Sequence, residues 1–167
     1  VADNVSMLVA NIKTLYAQQN TYNGLENKTA ISMGVVPDEL GTNATSGTLT
    51  NAFSGPVYIA ASDSTAEGDN KAFTIVFTKL SREACISLVT NDWGSGYSSG
   101  LIAIEATGAD MATHGDLDAV MIGNAGTENK IATPGGKTQP VPMAVVAAAK
   151  ACECASGNTC SIAWKYY

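Results

Sequence analysis

The chain has 167 residues, a formal net charge of −6, and 46% hydrophobic but only 14% charged residues. That length suits one domain with a real core, while the charge content falls well below the usual quarter, with Thr, Ser, Asn, Gly and Ala in its place. The nine Lys and Arg residues are nowhere clustered, which leaves no surface for tracking nucleic-acid phosphates or an anionic membrane, and no apolar run reaches the roughly 18 residues of a membrane span. A surface so poor in charge and rich in small polar groups suits an extracellular setting, or packing against copies of itself.

Val5, Leu8, Val9, Ile12, Leu15 and Tyr16 recur at three- and four-residue spacing, which predicts an amphipathic helix over about residues 3–19. Apolar residues begin at once after Asp3, the pattern of the downstream part of a longer helix. Residues 20–56 are rich in Gly, Pro, Asn and Thr and are expected to form a long loop, with a short helix near Thr29–Met33 and a turn at Pro37-Asp38-Glu39. Val57–Ala60 is a short candidate strand, and residues 62–70 form a polar, acidic loop. Phe73, Ile75 and Phe77 alternate with Thr74, Val76 and Thr78, a strong strand signal.

A helix follows. Ser81 is a suitable N-cap, Glu83 sits in the first turn, and Leu80 can staple to Cys85. Ala84, Cys85, Leu88 and Val89 form its apolar stripe, so Cys85 is expected to face inward. Residues 92–100 form a Gly/Ser-rich turn region. Leu101–Glu105 and Leu117–Ile122 are candidate strands flanking a loop that carries His114, and residues 123–140 form another Gly/Asn/Pro-rich loop. Pro142 suits the first turn of a helix running to about Cys152, with Val145, Val146, Ala149 and Cys152 on one face. In the last segment Cys160, Ile162, Trp164 and Tyr166 point one way and Ser161, Ala163 and Lys165 the other. This order of elements predicts an α+β fold with an antiparallel sheet.

The four cysteines, Cys85, Cys152, Cys154 and Cys160, allow three pairings. Cys152 and Cys154 are two residues apart at a helix end and point in different directions, so a bond between them would be strained. Cys85 and Cys152 each occupy the inward face of a helix, which favours Cys85–Cys152. Cys154–Cys160 then closes a small loop over Ala-Ser-Gly-Asn-Thr. The rival reading, a metal site built from Cys152, Cys154, Cys160 and His114, has a C-x-C-x5-C spacing unlike that of zinc knuckles.

Other chemical motifs have bland readings beside them. Gly96-Tyr97-Ser98-Ser99-Gly100 matches the G-x-S-x-G elbow of serine hydrolases, with Asp110 and His114 following in hydrolase order. That elbow needs a strand before the serine and a helix directly after it, whereas here a turn precedes Ser98 and a strand-like segment follows. His114 lies in a solvated loop, and the paired carboxylates Asp38/Glu39 and Asp116/Asp118 lie in polar loops without the apolar surroundings that raise a pKa. Asn27-Lys28-Thr29 and Asn43-Ala44-Thr45 fit the glycosylation triplet, which also arises by chance. Trp93, Tyr97, Trp164, Tyr166 and Tyr167 could form an aromatic binding surface, although Trp164 and Tyr166 belong to the strand face assigned to the core.

Four passages, in order, resemble the type IVb pilins, subunits of Gram-negative surface filaments. They are the helix from Val5 to Tyr16 running into Gln19-Asn20-Thr21-Tyr22-Asn23-Gly24-Leu25; the turn Asn51-Ala52-Phe53-Ser54-Gly55; the short helix Leu80–Val89 with Cys85; and Ala149-Lys150-Ala151-Cys152 before a final strand. The likeness spans nearly the whole chain and is greatest to the major pilins of bundle-forming and thin pili. Ala52 stands where the family's turn usually has Pro, and Cys154 and Cys160 exceed its single conserved bridge.

The resemblance implies a type IV pilin fold: an N-terminal helix packed on an antiparallel sheet, with short further helices and a stapled C-terminal region. The expected organisation is one head domain over residues 1–167, with residues 1–19 as the lower half of a long helix, 20–56 as the loop joining helix to sheet, and 57–167 as the sheet and disulfide-bounded region. It also implies an N-terminally truncated head, whose absent apolar helix would be the contact with the inner membrane. The expected role is structural: extracellular, self-assembling into a helical filament that serves adhesion, aggregation and host-cell attachment, with a host receptor as a further partner and no cofactor, metal, catalysis or nucleic acid. The alternatives are a minor pilin or adhesin head with its receptor site in loops 62–70, 91–100 or 123–140, and a small secreted hydrolase at Ser98.

Overall fold

Helix α1 (Ala2–Leu15) forms where the three- and four-residue spacing places Val5, Leu8, Val9 and Ile12 on one stripe, and all four are buried. A computed structural model describes residues 2–64, 67–91, 93, 101–108, 130–132, 138–139, 144–154 and 159–167. The remaining elements are α2 (Asn27–Met33), β1 (Gly41–Asn43), β2 (Thr48–Thr50), β3 (Pro56–Ser62), β4 (Ala72–Leu80), α3 (Arg82–Thr90), β5 (Leu101–Thr107), β6 (Lys130–Ala132), β7 (Thr138–Gln139), α4 (Val145–Ala151) and β8 (Cys160–Tyr166). The strands form one sheet in the order β1-β2-β3-β4-β8-β5-β6-β7. Every pairing is antiparallel except β5 with β6, which is parallel.

The span expected as an irregular loop, residues 20–56, holds α2 and the β1–β2 hairpin. Helix α2 stops at Gly34, whose φ of 75° fits the left-handed C-cap, and the Val35 amide donates back to the Ala30 carbonyl. Beyond the hairpin, residues 25–27 take over the outer edge of β3. The Asn27 side-chain amide donates to the Val57 carbonyl at 2.9 Å and accepts from the Ile59 amide at 2.6 Å, so this side chain stands in for a strand backbone.

The turn from β2 into β3 is organised by Asn51, which is buried. Its Oδ1 accepts from the Phe53 and Gly55 amides at 2.9 and 3.1 Å, and its Nδ2 donates to the Thr78 carbonyl at 2.9 Å. Gly55 passes so close to β4 that a Cβ there would collide with the Thr78 carbonyl.

One face of the sheet carries Val57, Ile59, Phe73, Ile75, Phe77, Leu101, Ile104, Ile162 and Trp164 in a single buried cluster with the α1 stripe. Two bulges keep the apolar residues on that face. Strict alternation along β4 would put Lys79 inside and Leu80 outside, but the register shifts between Phe77 and Leu80, and Lys79 adopts φ 55°. Leu80 is thereby returned to the core opposite Cys160. A second shift between Leu101 and Ala103 lets Ile102 and Ala103 both face the opposite side.

That opposite face is buried as well over the central strands. Ala72, Val76, Ile102, Ala103 and Ala163 form a second cluster beside the buried Thr74, Glu105, Ser161 and Lys165. All seven residues of β8 are buried.

Aromatic rings fasten α1 to the sheet. Tyr16 at the end of α1 meets Tyr22 at 5.2 Å, Tyr22 meets Phe73 at 4.8 Å, and Phe73 stacks on Tyr166 at 5.9 Å between ring centroids. A second set packs Trp164 between Phe77 at 5.6 Å and Trp93 at 5.2 Å.

Candidate functional site

Three surfaces are candidates for a functional role: the outer side of α1, the disulfide-tied corner of α3 and α4, and the edge of the sheet near α2. At the corner, α3 starts as its sequence dictates, with the Ser81 hydroxyl accepting from the Ala84 amide at 3.1 Å. Cys85 lies on the buried side of α3 and is bonded to Cys152 just beyond α4, across a Cα separation of 5.8 Å and 67 residues of chain. Cys154 is bonded to Cys160 at the start of β8, with Cα atoms 5.1 Å apart. The bond leaves the sheet by way of a close approach: a Cβ on Gly108, just past β5, would strike the Glu153 carbonyl, and the Thr159 hydroxyl donates to the Gly108 carbonyl at 3.0 Å. The four sulfurs are thus placed in two covalent bridges, and among the described residues no group of three or more His, Cys, Asp and Glu side chains gathers as metal ligands would.

The face expected for α4 is wrong in part. Val145 and Val146 are 67% and 72% exposed, and the buried positions are Ala148, Ala151 and Cys152. The Cys85–Cys152 bond ties the end of α4 to α3, with Ala148 and Ala151 buried, and the contact is extended by Arg82, whose guanidinium donates to the Ala149 carbonyl at 3.4 Å.

On α1 the buried stripe leaves an outer face of Asp3, Ser6, Met7, Ala10 and Thr14, all exposed. It carries a single charge, at its N-terminal end, and the Thr14 hydroxyl is turned inward onto the Ala10 carbonyl at 2.9 Å. Met7, 49% exposed, is the largest side chain on that face.

Of the other motifs, Ser98, Asp110, His114, Tyr97, Asp116 and Asp118 lie outside the described residues. Strand β5 begins at Leu101, directly after Gly100, where a nucleophile elbow requires a helix. Trp93 is buried and donates through Nε1 to the Leu88 carbonyl at 2.7 Å; Trp164 and Tyr166 are core residues. Of the two glycosylation triplets, Asn27 is engaged at both ends of its amide by β3, whereas Asn43 is exposed and its Oδ1 accepts from the Thr45 and Ser46 amides. In the acidic loop, Asp69 and Asp63 are turn-formers, accepting backbone amides of Ser64, Lys71 and Asn70. Loops 91–100 and 123–140 fall mostly outside the described residues, apart from Asn91, Trp93 and the short strands β6 and β7. Sequence reasoning missed the exposed Val145 and Val146, because apolar residues on a short helix are read as its buried side.

A family model described as PilS N terminal matches residues 1–165. Among solved structures, the chain is similar to a crystal structure of a type IVb pilin from Salmonella typhi, with a TM-score of 0.60 at 18% identity over 99% of this chain and 96% of that one. It is similar also to TcpA, a type IV pilin from Vibrio cholerae El Tor biotype, with a TM-score of 0.56 at 17% identity over 99% and 96% of the two chains. An NMR structure of the type IVb pilin PilS from Salmonella typhi gives a TM-score of 0.50 at 20% identity over 98% and 92%. No curated protein sequence matches significantly.

Proposed function

The chain belongs to the PilS N-terminal family of type IVb pilins, and from that premise we propose that it is the major structural subunit of an extracellular pilus that mediates adhesion, aggregation and host-cell attachment. The observation that carries this reading is the two-sidedness of α1. One side is locked into the sheet by Val5, Leu8, Val9, Ile12 and the aromatic ladder, while the other presents Met7 among small residues, with one charge at its N-terminal end, to solvent. A face of that composition loses little hydration when packed against another helix, and small side chains allow close approach. Copies joined through two different patches do not close on themselves and so grow into a helical filament. The second patch in this reading is the α3–α4 corner, where Val145 and Val146 stand exposed on a covalently braced support.

The test is assembly in the parent cell. Immunogold labelling with antibody to this chain is expected along the whole length of surface filaments. Met7→Glu should abolish filaments while the isolated head keeps its fold, since Met7 is half exposed. Labelling confined to filament tips would instead indicate a minor pilin or adhesin head, and normal filaments from the Met7 variant would remove α1 from the contact.

A further inference from the structure

At the sheet edge beside α2 there is an open cleft of about 290 Å³. Its floor is Tyr58 and Ala60, alternate residues of β3 that share one face of the strand and are both half-buried. Around it stand Glu26, Asn27 and Lys28, with Ser46 and Gly47 from the tip of the β1–β2 hairpin, where Gly47 packs against the base of the Lys28 side chain. The cleft is held in shape rather than left to loop motion. Asn27 is bonded to β3 at both ends of its amide, Glu26 bridges Ala60, the Ala61 amide donates to the Leu25 carbonyl at 3.1 Å, and the Ser46 hydroxyl is paired with that of Thr48 at 2.9 Å.

We propose that this cleft is a saccharide-binding subsite that takes one or two rings of a neutral glycan. Three features select that chemistry. A half-buried tyrosine beside an alanine makes a low floor on which the C–H face of a sugar ring can rest. The rim supplies an acceptor in the Glu26 carboxylate, a donor in the Lys28 ammonium and a hydroxyl on Ser46, which together can meet the donor-and-acceptor hydroxyls of a sugar. The two charges cancel, so the cleft offers no net attraction to an anionic or cationic ligand. It also lacks the deep apolar hole that anchors a peptide side chain. The site rests on the adhesive part of the proposed function and is independent of filament assembly, so the two can fail separately.

The test is a titration of the ¹⁵N-labelled chain with lactose, N,N′-diacetylchitobiose and mannobiose, each to millimolar concentration, followed by amide chemical shifts. At least one sugar is expected to give saturable shifts confined to residues 26–28, 46–47 and 58–60. The double variant Glu26→Ala/Lys28→Ala, whose side chains are exposed and whose fold the unchanged remainder of the spectrum would report, is expected to bind about tenfold or more weakly. No saturable shift with any of the three sugars, shifts centred elsewhere, or undiminished binding by the double variant would each overturn the proposal. So would saturation of the same residues by an extended peptide but by no sugar. Filaments that assemble normally from the double variant would leave the structural role untouched whichever way the titration falls.

Discussion

The ammonium of Lys13 lies 5.1 Å from the centre of the Tyr166 ring, joining α1 to β8 through a cation and an aromatic face. Burial acts on both groups: it lowers the pKa of Lys13 and raises that of Tyr166 above the usual tyrosine range, and it raises that of Tyr22 in the same ladder.

The pH dependence follows from these directions. An unfolded tyrosine ionises near pH 10, whereas folded Tyr166 and Tyr22 keep their protons, so above about pH 10 the native state binds more protons and stability falls as pH rises. Lys13 works the other way, because its protonated form is disfavoured in the fold and that penalty fades toward alkaline pH; being half exposed, it offsets the tyrosines only in part. Urea unfolding followed by circular dichroism between pH 8 and 11.5 should show a loss of stability from about pH 10. Tyr166→Phe keeps the ring and should make that loss smaller, leaving the part due to Tyr22.

Removing the long bridge as Cys85→Ser/Cys152→Ser should cost about 4 kcal/mol on the chain-entropy account, and removing Cys154–Cys160 about 2 kcal/mol. The first variant should also abolish filaments, since the support beneath Val145 and Val146 loosens. Chemical denaturation and electron microscopy of the two variants separate these effects; normal filaments without Cys85–Cys152 would detach the bridge from assembly.

Asn51→Ala should destabilise by about 2–3 kcal/mol, because it removes the partner of three backbone groups at a buried turn. Gly55→Ala should be at least as damaging, given the Thr78 carbonyl in its path. Thermal melts of the two variants report this directly.

Lys79→Gly should stabilise by about 1 kcal/mol, since a non-glycine residue pays a steric cost at the φ of 55° which the bulge imposes, and the Lys79 side chain is exposed. A lowered melting temperature would show that the bulge owes its shape to the lysine itself.

Much of this fold can be read from periodicity. The stripe of α1 from Val5 to Ile12, the alternation of Phe73, Ile75 and Phe77, the Ser81 cap and the inward set Ile162, Trp164 and Tyr166 appear in the structure where spacing places them, whereas Leu15, at the end of the expected stripe, is exposed. What spacing does not reveal depends on partners remote in sequence. Gly41–Asn43 pairs with Thr48–Thr50 although its residues are exposed and two of the three, Gly41 and Asn43, are of types depleted in strands. Thr74, Ser161 and Lys165 are polar yet buried, because the central strands are covered on both faces. On α4 the buried side is the one that carries Ala148, Ala151 and the bridged Cys152, and Val145 and Val146 are left outside it. The cleft escapes a linear reading altogether, since its lining comes from three stretches of chain that only the fold brings together.

The position of β8 has a consequence in time. Among the described residues, strands β1 to β4 and strands β5 to β7 are joined in the sheet through β8, which comes after all of them in the chain. While the polypeptide is emerging from the ribosome, the sheet therefore cannot be completed, and Cys154 must wait for Cys160 at the head of that same strand. Chain order thus delivers the strand that joins the two parts of the sheet, and the sulfur that closes Cys154–Cys160, at the same late point of synthesis.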